Sequence, residues 1–224
     1  MSLSGCSGVS GPRLIEGDFE MKKRAIICIS REYGSGGRAT GERLSEMLGI
    51  PCYDKELLTR AAHEHGVDLE IIATSDEQPA TWSSMGFPRG IRNPYKIPLD
   101  LDSYYVINDI VFQMLTETIQ NLAQEGSCII VGRAAKEVLK NDPDLVSVFI
   151  HAQLTDRIKR IMELGHINEK QARQLIRKMD KKRAEFNNTY STDKWGVCSS
   201  YDLSISTSHF GIEGAAKGIM ELLE

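Results

Sequence analysis

From Arg24 onward, short apolar runs alternate with segments whose apolar residues recur at helical spacing. "RAIICIS" (24–30) is β-branched and almost continuously apolar, the pattern of a buried strand. "RATGERLSEMLG" (38–49) then places Leu44, Met47 and Leu48 on one helical face and closes at Gly49. "IPCYD" (50–54) reads as a second strand, and "KELLTRAAHEHG" (55–66) as a helix ended by Gly66. A longer helix, about 103–125, carries Val106, Ile110, Phe112, Met114, Leu115, Ile119 and Leu122. "SCIIVGR" (127–133) is a further buried strand, followed by the short helical run "AAKEVLK". "LVSVFIHA" (145–152) and "YDLSIST" (201–207) are the fourth and fifth strands, and "GIEGAAKGIMELL" closes the chain as a helix. Strands apolar on both faces and alternating with helices predict an α/β protein, a parallel sheet covered on two sides.

Three stretches stand outside that alternation. Residues 1–20 are Gly/Ser-rich at the start and show no periodicity, so they are expected to be a disordered or artificially appended tail, with one domain over 21–224. Residues 76–102 hold Pro79, Pro88, Pro94 and Pro98 among Trp82, Phe87 and Tyr95, a length expected of a functional or disordered loop. Residues 154–198 are helical in pattern and strongly basic.

At 224 residues, 41% hydrophobic and 26% charged, the chain can bury the core of one ordinary domain. A net charge of −4 argues against a general nucleic-acid binder. No apolar run approaches the roughly 18 residues of a membrane helix. The five cysteines are an odd number without a C-x-x-C pair, neither a disulfide framework nor a zinc site, and fit a reducing cytoplasm. Cys28 and Cys128 sit in apolar runs as small core residues. His63 and His65 are read as polar positions at a helix end, and no metal site is expected.

The candidate chemistry lies between the first strand and the first helix, in Gly34-Ser35-Gly36-Gly37-Arg38-Ala39-Thr40. A strand, a glycine-rich turn and a helix whose first N–H groups are free make an anion cradle. The strict phosphate-loop pattern would place glycine at Glu32, lysine at Arg38 and Ser/Thr at Ala39. Arginine can clamp a phosphate through two parallel hydrogen bonds, and Thr40 lies in the helix's first turn. The same residues also fit the dinucleotide fingerprint G-x-G-x-x-[GA], with Asp54 at about the distance of a ribose-binding acid. Against that reading, Ser30-Arg31-Glu32-Tyr33 separate the strand from the first glycine. A turn without a ligand is the third alternative.

Two further sets of arginines stand out. Arg157 and Arg160 are three residues apart, as are Arg177, Asp180 and Arg183, spacings that share a helix face; Arg173 joins the second stripe. The cluster fits a multiply charged anion, or a solvated face laced by Asp180 salt bridges. Arg133, directly after a buried strand, projects from the sheet's carboxyl edge, where open α/β sheets bind ligands. The alternative is an arginine capping its own strand end.

With Gly34–Thr40, "YDKELL", "VGRAA", "DRIKR" and "DKKRAEFNNTY…KWG…YDL" in hand, residues 24–223 resemble the cytidylate kinase-like family of P-loop nucleoside-monophosphate kinases. The resemblance implies a P-loop NTPase-type three-layer sandwich: a five-stranded parallel sheet flanked by helices, a mobile acceptor region (76–102) and a helical lid (154–198). It implies ATP phosphates held by Gly34, Ser35, Gly36, Gly37, Arg38, Ala39 and Thr40, and an acceptor facing Asp54 and Arg133. Arg157 and Arg160 would flank the lid, and Asp180 and Arg183 resemble its D-x-x-R segment, which engages acceptor and migrating phosphoryl group. The catalytic set is then Arg38, Arg157, Arg160 and Arg183, the cofactor Mg²⁺ with ATP, and the acceptor a small phosphorylated molecule, CMP or dCMP first. Well-studied cytidylate kinases carry D-G-R-D where this chain has Val131-Gly132-Arg133-Ala134, so the acids beside the acceptor arginine are missing. Alternatives in other classes are a non-catalytic nucleotide sensor and an NAD(P)- or flavin-dependent oxidoreductase.

Overall fold

The computed structural model describes residues 24–68 and 101–223. The tail at 1–20 and nearly all of the 76–102 segment lie outside the described residues.

Five strands form one sheet: β1 (Ile26–Arg31), β2 (Cys52–Tyr53), β3 (Cys128–Val131), β4 (Leu145–His151) and β5 (Leu203–Ser206). Their order is β2-β3-β1-β4-β5, and every pairing is parallel. The order decides between the readings of the glycine loop. In the dinucleotide fold β1 lies beside β2, whereas here β3 is inserted between them and β1 is central. The oxidoreductase alternative is thereby removed.

All six residues of β1 are buried, and alternate side chains feed opposite faces. Ile26 and Cys28 pack with Ile130 beneath α2 (Glu56–His65), α3 (Leu101–Glu125) and the short α4 (Ala135–Val138), through Leu57, Ala61, Leu115, Ile119 and Leu122. Ile27 and Ile29 pack with Ile129, Val148 and Ile150 against α1 (Gly37–Leu48) and α7 (Thr207–Met220), through Leu44, Ala215 and Ile219. The three layers follow directly from strands that are apolar on both faces. Burial pushes the Cys128 thiol up to about 11 and raises that of Cys28 as well, so these are inert core groups. Among the described residues no helix is long and apolar enough to cross a membrane.

The basic segment becomes a helical hairpin, α5 (Leu154–Gly165) and α6 (Glu169–Tyr190). A capping box between Asn168 and Gln171 starts α6, and Ile158, Ile161, Ala172 and Ile176 give the hairpin a small core of its own. The helical pattern expected over 154–198 stops at Tyr190, beyond which the chain is tied down piecewise. Ser191 Oγ donates to Glu137 Oε2 at 2.9 Å, Lys136 pairs with Asp193, and Trp195 packs edge-on against Phe149 with centroids 5.3 Å apart. The strand expected over 50–54 narrows to Cys52–Tyr53, because only two of its residues pair with β3. The closing helix begins earlier than expected, at Thr207, and bends at Gly211, whose φ of 66° lies outside the helical region.

Arg24 fastens the entry of β1 across the sheet. Its guanidinium donates to Asp142 Oδ2 at 2.7 Å, to Asp144 Oδ2 at 2.9 Å and to the carbonyl of Ala123 at 2.8 Å. Hydrogen bonding from Arg24 holds the Asp142 carboxyl below the usual carboxylate range. A carboxyl depressed by folding contributes stability that is complete above its unfolded pKa, near 3.9, and is lost as pH falls through the folded value. Arg24 is a third exposed, so solvent screens the pair, and replacing it by methionine is expected to cost about 1 kcal/mol at pH 7. The gap between wild-type and variant melting temperatures should close as the pH is lowered below about 4. Thermal melts across that range check both; a gap that does not vary with pH would show that the ion pair contributes nothing.

Candidate functional site

β1 ends at Arg31, and Glu32-Tyr33-Gly34-Ser35-Gly36 turn the chain into α1. The turn requires glycine in two ways. Gly34 and Gly36 have φ of 79° and 84°, left-handed values that burden other residues. Gly37 has no room for a side chain, since a Cβ there would sit 2.5 Å from the Cβ of Arg31. The loop leaves the sheet in register, Glu32 N–H donating to the carbonyl of Ile150 at 3.0 Å.

Two hydroxyls brace the loop from within. Thr40 is fully buried and donates to the carbonyl of Gly36 at 3.1 Å. Thr207, at the start of α7, donates to the carbonyl of Ser35 at 2.5 Å. With its hydroxyl directed to Gly36, Thr40 ties the first turn together. Gly36 caps α1 with no side-chain hydrogen bond, so the first N–H groups of the helix face the loop's open side. That end attracts anions through both the free donors and the helix dipole.

The arginines divide into two kinds. Arg38 and Arg160 stand at the cradle. Arg38 is about half exposed, leans on Glu42 at 2.8 Å and lies 3.7 Å from Asp54; the hydrogen bond to Glu42 raises its already high pKa, so its charge is permanent. Arg160 donates to the carbonyl of Gly34 and lies against Gly36. Arg157 and Arg183 are buried inside the protein instead. Arg157 joins the carboxylates of Glu32 and Asp180 and donates to the carbonyl of Tyr33 at 2.8 Å. Arg183 donates to the carbonyl of Arg31 at 3.1 Å and lies 5.3 Å from the centre of the Tyr33 ring. Asp180 pairs with Arg157 of the preceding helix, not with Arg177, and accepts the Tyr33 N–H at 2.7 Å. Arg173 pairs with Glu169, one turn before it, on the exposed surface of α6 at 2.7 Å.

Across the sheet's carboxyl edge, Asp54 follows β2 and is buried. Arg31 approaches it at 3.5 Å, Arg38 at 3.7 Å and Arg133 at 4.0 Å. Arg133 is 3% exposed and sits in the middle of a run, Gly132-Arg133-Ala134, in which all three residues have positive φ. A non-glycine residue held there costs about 1–3 kcal/mol, and such strain gathers at functional sites. The structure thus brings Arg38, Asp54 and Arg133 to one edge, beside the glycine cradle. Sequence reasoning did not single out Arg31, Tyr33 or Thr207. The signals that could have found them are a charge closing an apolar strand, at Arg31, and an acid in the first-glycine position, at Glu32.

A model of the cytidylate kinase-like family matches residues 26–209. No curated protein matches the sequence. Among solved structures, an uncharacterized protein from Eubacterium ventriosum superposes with a TM-score of 0.65 at 27% identity, covering 89% of this chain and 98% of that one. Shikimate kinase from Bacteroides thetaiotaomicron superposes with a TM-score of 0.53 at 14% identity, covering 90% and 99%; at that identity the likeness is one of fold, the P-loop kinase fold.

Gly37→Ala tests the cradle. Backbone and Arg31 must both yield to the added carbon, so the variant is expected to lose about 1–3 kcal/mol in urea unfolding. An unchanged unfolding midpoint would show that the close approach of α1 to β1 is not needed.

Proposed function

Given that the chain belongs to the cytidylate kinase-like family, we propose that it is an ATP-dependent kinase acting on a nucleoside monophosphate, CMP or dCMP first. The observation that carries the reading is the uncapped start of α1 at Gly36, flanked by Arg38 and Arg160 and next to the Asp54–Arg133 edge. The free amides after Gly36 hold the ATP phosphates, and the two arginines offset the charge on the migrating group. The acceptor lies over Asp54 and Arg133. An oxygen of its phosphate attacks the γ-phosphorus as the bond to the β–γ bridging oxygen breaks, giving ADP and a nucleoside diphosphate.

Such a transfer asks little covalent chemistry of the protein; positioning and fixed charge supply most of the acceleration. Magnesium enters as part of the MgATP substrate, coordinated by phosphate oxygens and water. The free thiols of Cys28, Cys52, Cys128 and Cys198 suit a reducing cytoplasm. Val131 and Ala134, standing where cytidylate kinases have acids, widen the acceptors worth testing.

The test is magnesium-dependent ADP release over a panel of nucleoside monophosphates and other small acceptors. Acceptor-dependent ADP release is expected; tight ATP binding with no release for any acceptor would point instead to a nucleotide sensor. Arg38→Ala is expected to lower kcat by on the order of 10²–10³, the scale of one lost transition-state donor. Near-normal turnover would remove Arg38 from the reaction. Arg133→Ala is expected to raise the acceptor's KM with that of ATP unchanged, and an unaltered acceptor KM would place Arg133 outside the acceptor site.

A further inference from the structure

We propose that Asp180 is a positioning residue for the phosphate loop, through which the seating of the helical hairpin and the binding of ATP are coupled. Both oxygens of its carboxylate are committed. Oδ1 accepts the backbone N–H of Tyr33 at 2.7 Å, and Oδ2 pairs with the guanidinium of Arg157. Arg157, on the other helix of the hairpin, donates Nε to the carbonyl of Tyr33 at 2.8 Å. Both polar backbone groups of Tyr33 are thus held by side chains from the hairpin, one from each helix.

Glu32 completes the clamp on the sheet side. Its Oε1 lies 3.0 Å from Arg157, and its Oε2 accepts the N–H of Ala152 at 3.1 Å, just past the end of β4. Arg157 side-chain exposure is 6%, with Glu32 at 25% and Asp180 at 20%. Charged groups this sheltered interact strongly and tolerate the loss of a partner badly.

The clamp acts immediately before Gly34, the first residue of the loop with left-handed backbone. With the Tyr33 amide occupied by a carboxylate, the path of the chain into the cradle depends on where the hairpin sits. An Asp180 that acted as an acceptor ligand would have to share its carboxylate with Tyr33 and Arg157 or give one of them up. An Asp180 that positions the loop instead alters ATP affinity and leaves the acceptor alone. This assignment rests on the kinase reading for its kinetic consequence, but not for its structural one.

Asp180→Ala removes both contacts, and Asp180→Asn, nearly isosteric, keeps an oxygen for Tyr33 while losing the charge opposite Arg157. Amide hydrogen exchange measured by NMR on the full chain is expected to quicken about tenfold at Tyr33 in the alanine variant and less in the asparagine variant. In steady-state kinetics the KM for ATP should rise about tenfold, with the acceptor's KM within about twofold of wild type. Unchanged Tyr33 exchange in both variants overturns the proposal, as does an acceptor KM that rises as much as that of ATP or more. If the wild-type protein releases no ADP with any acceptor, the kinase reading falls on its own, and the exchange rates still decide whether Asp180 holds the loop.

Discussion

One buried guanidinium holds together the elements that surround the phosphate loop. Arg157 is bound by carboxylates on two sides and by a loop carbonyl on a third, so it joins the phosphate loop, the end of β4 and both helices of the hairpin at a single point. Removing one member of such a group leaves a charge without compensation in a sheltered place, at a cost of about 3–5 kcal/mol. The loop is consequently shaped from outside, by ion pairs, as well as from inside, by its glycines and the hydroxyls of Thr40 and Thr207. A charge at Glu32, where the strict pattern has glycine, is what the outer support requires.

That arrangement separates interior charge from charge at the mouth of the loop. Arg157 and Arg183 are interior and direct donors to main-chain carbonyls, while Arg38 and Arg160 stand at the mouth of the cradle. On the opposite edge the contacts to Asp54 are long, between 3.5 and 4.0 Å, compared with 2.6–3.0 Å for the tight pairs elsewhere. These contacts lie beside the strained Gly132-Arg133-Ala134 turn. The charges around the loop therefore fall into two groups, closely paired ones on the hairpin side and more widely spaced ones around Asp54.

The fold was legible because its strands are apolar on both faces and alternate with helices, a combination that a covered parallel sheet satisfies. The glycine cradle was legible because left-handed backbone and close helix approach narrow the choice of residue to glycine. Strand order was not, since spacing along a chain says nothing about which neighbours pair, and it was strand order that separated a phosphate loop from a dinucleotide fingerprint. The D-x-x-R stripe on α6 shows the other limit. Its spacing places Asp180 and Arg183 on one face, but helical periodicity carries no information about what that face meets, and it meets Tyr33 and Arg31.

The far end of the hairpin adds a mechanical constraint. Tyr190 lies nearly parallel over Phe112 with ring centres 3.7 Å apart, Phe186 meets both rings edge-on, and the Tyr190 hydroxyl donates to Asp109 at 3.1 Å. This aromatic rivet fixes the last turn of α6 to α3, while its N-terminal turns pack on α5 through Ala172 and Ile176. Between these ends, Asp180 and Arg183 tie the middle of the helix to the loop at Tyr33 and Arg31. Over the 22 residues of α6, at about 1.5 Å of rise each, one continuous helix therefore spans about 33 Å and links the rings at its end to the loop at its middle, so a shift imposed at either place is carried to the other by a rigid element.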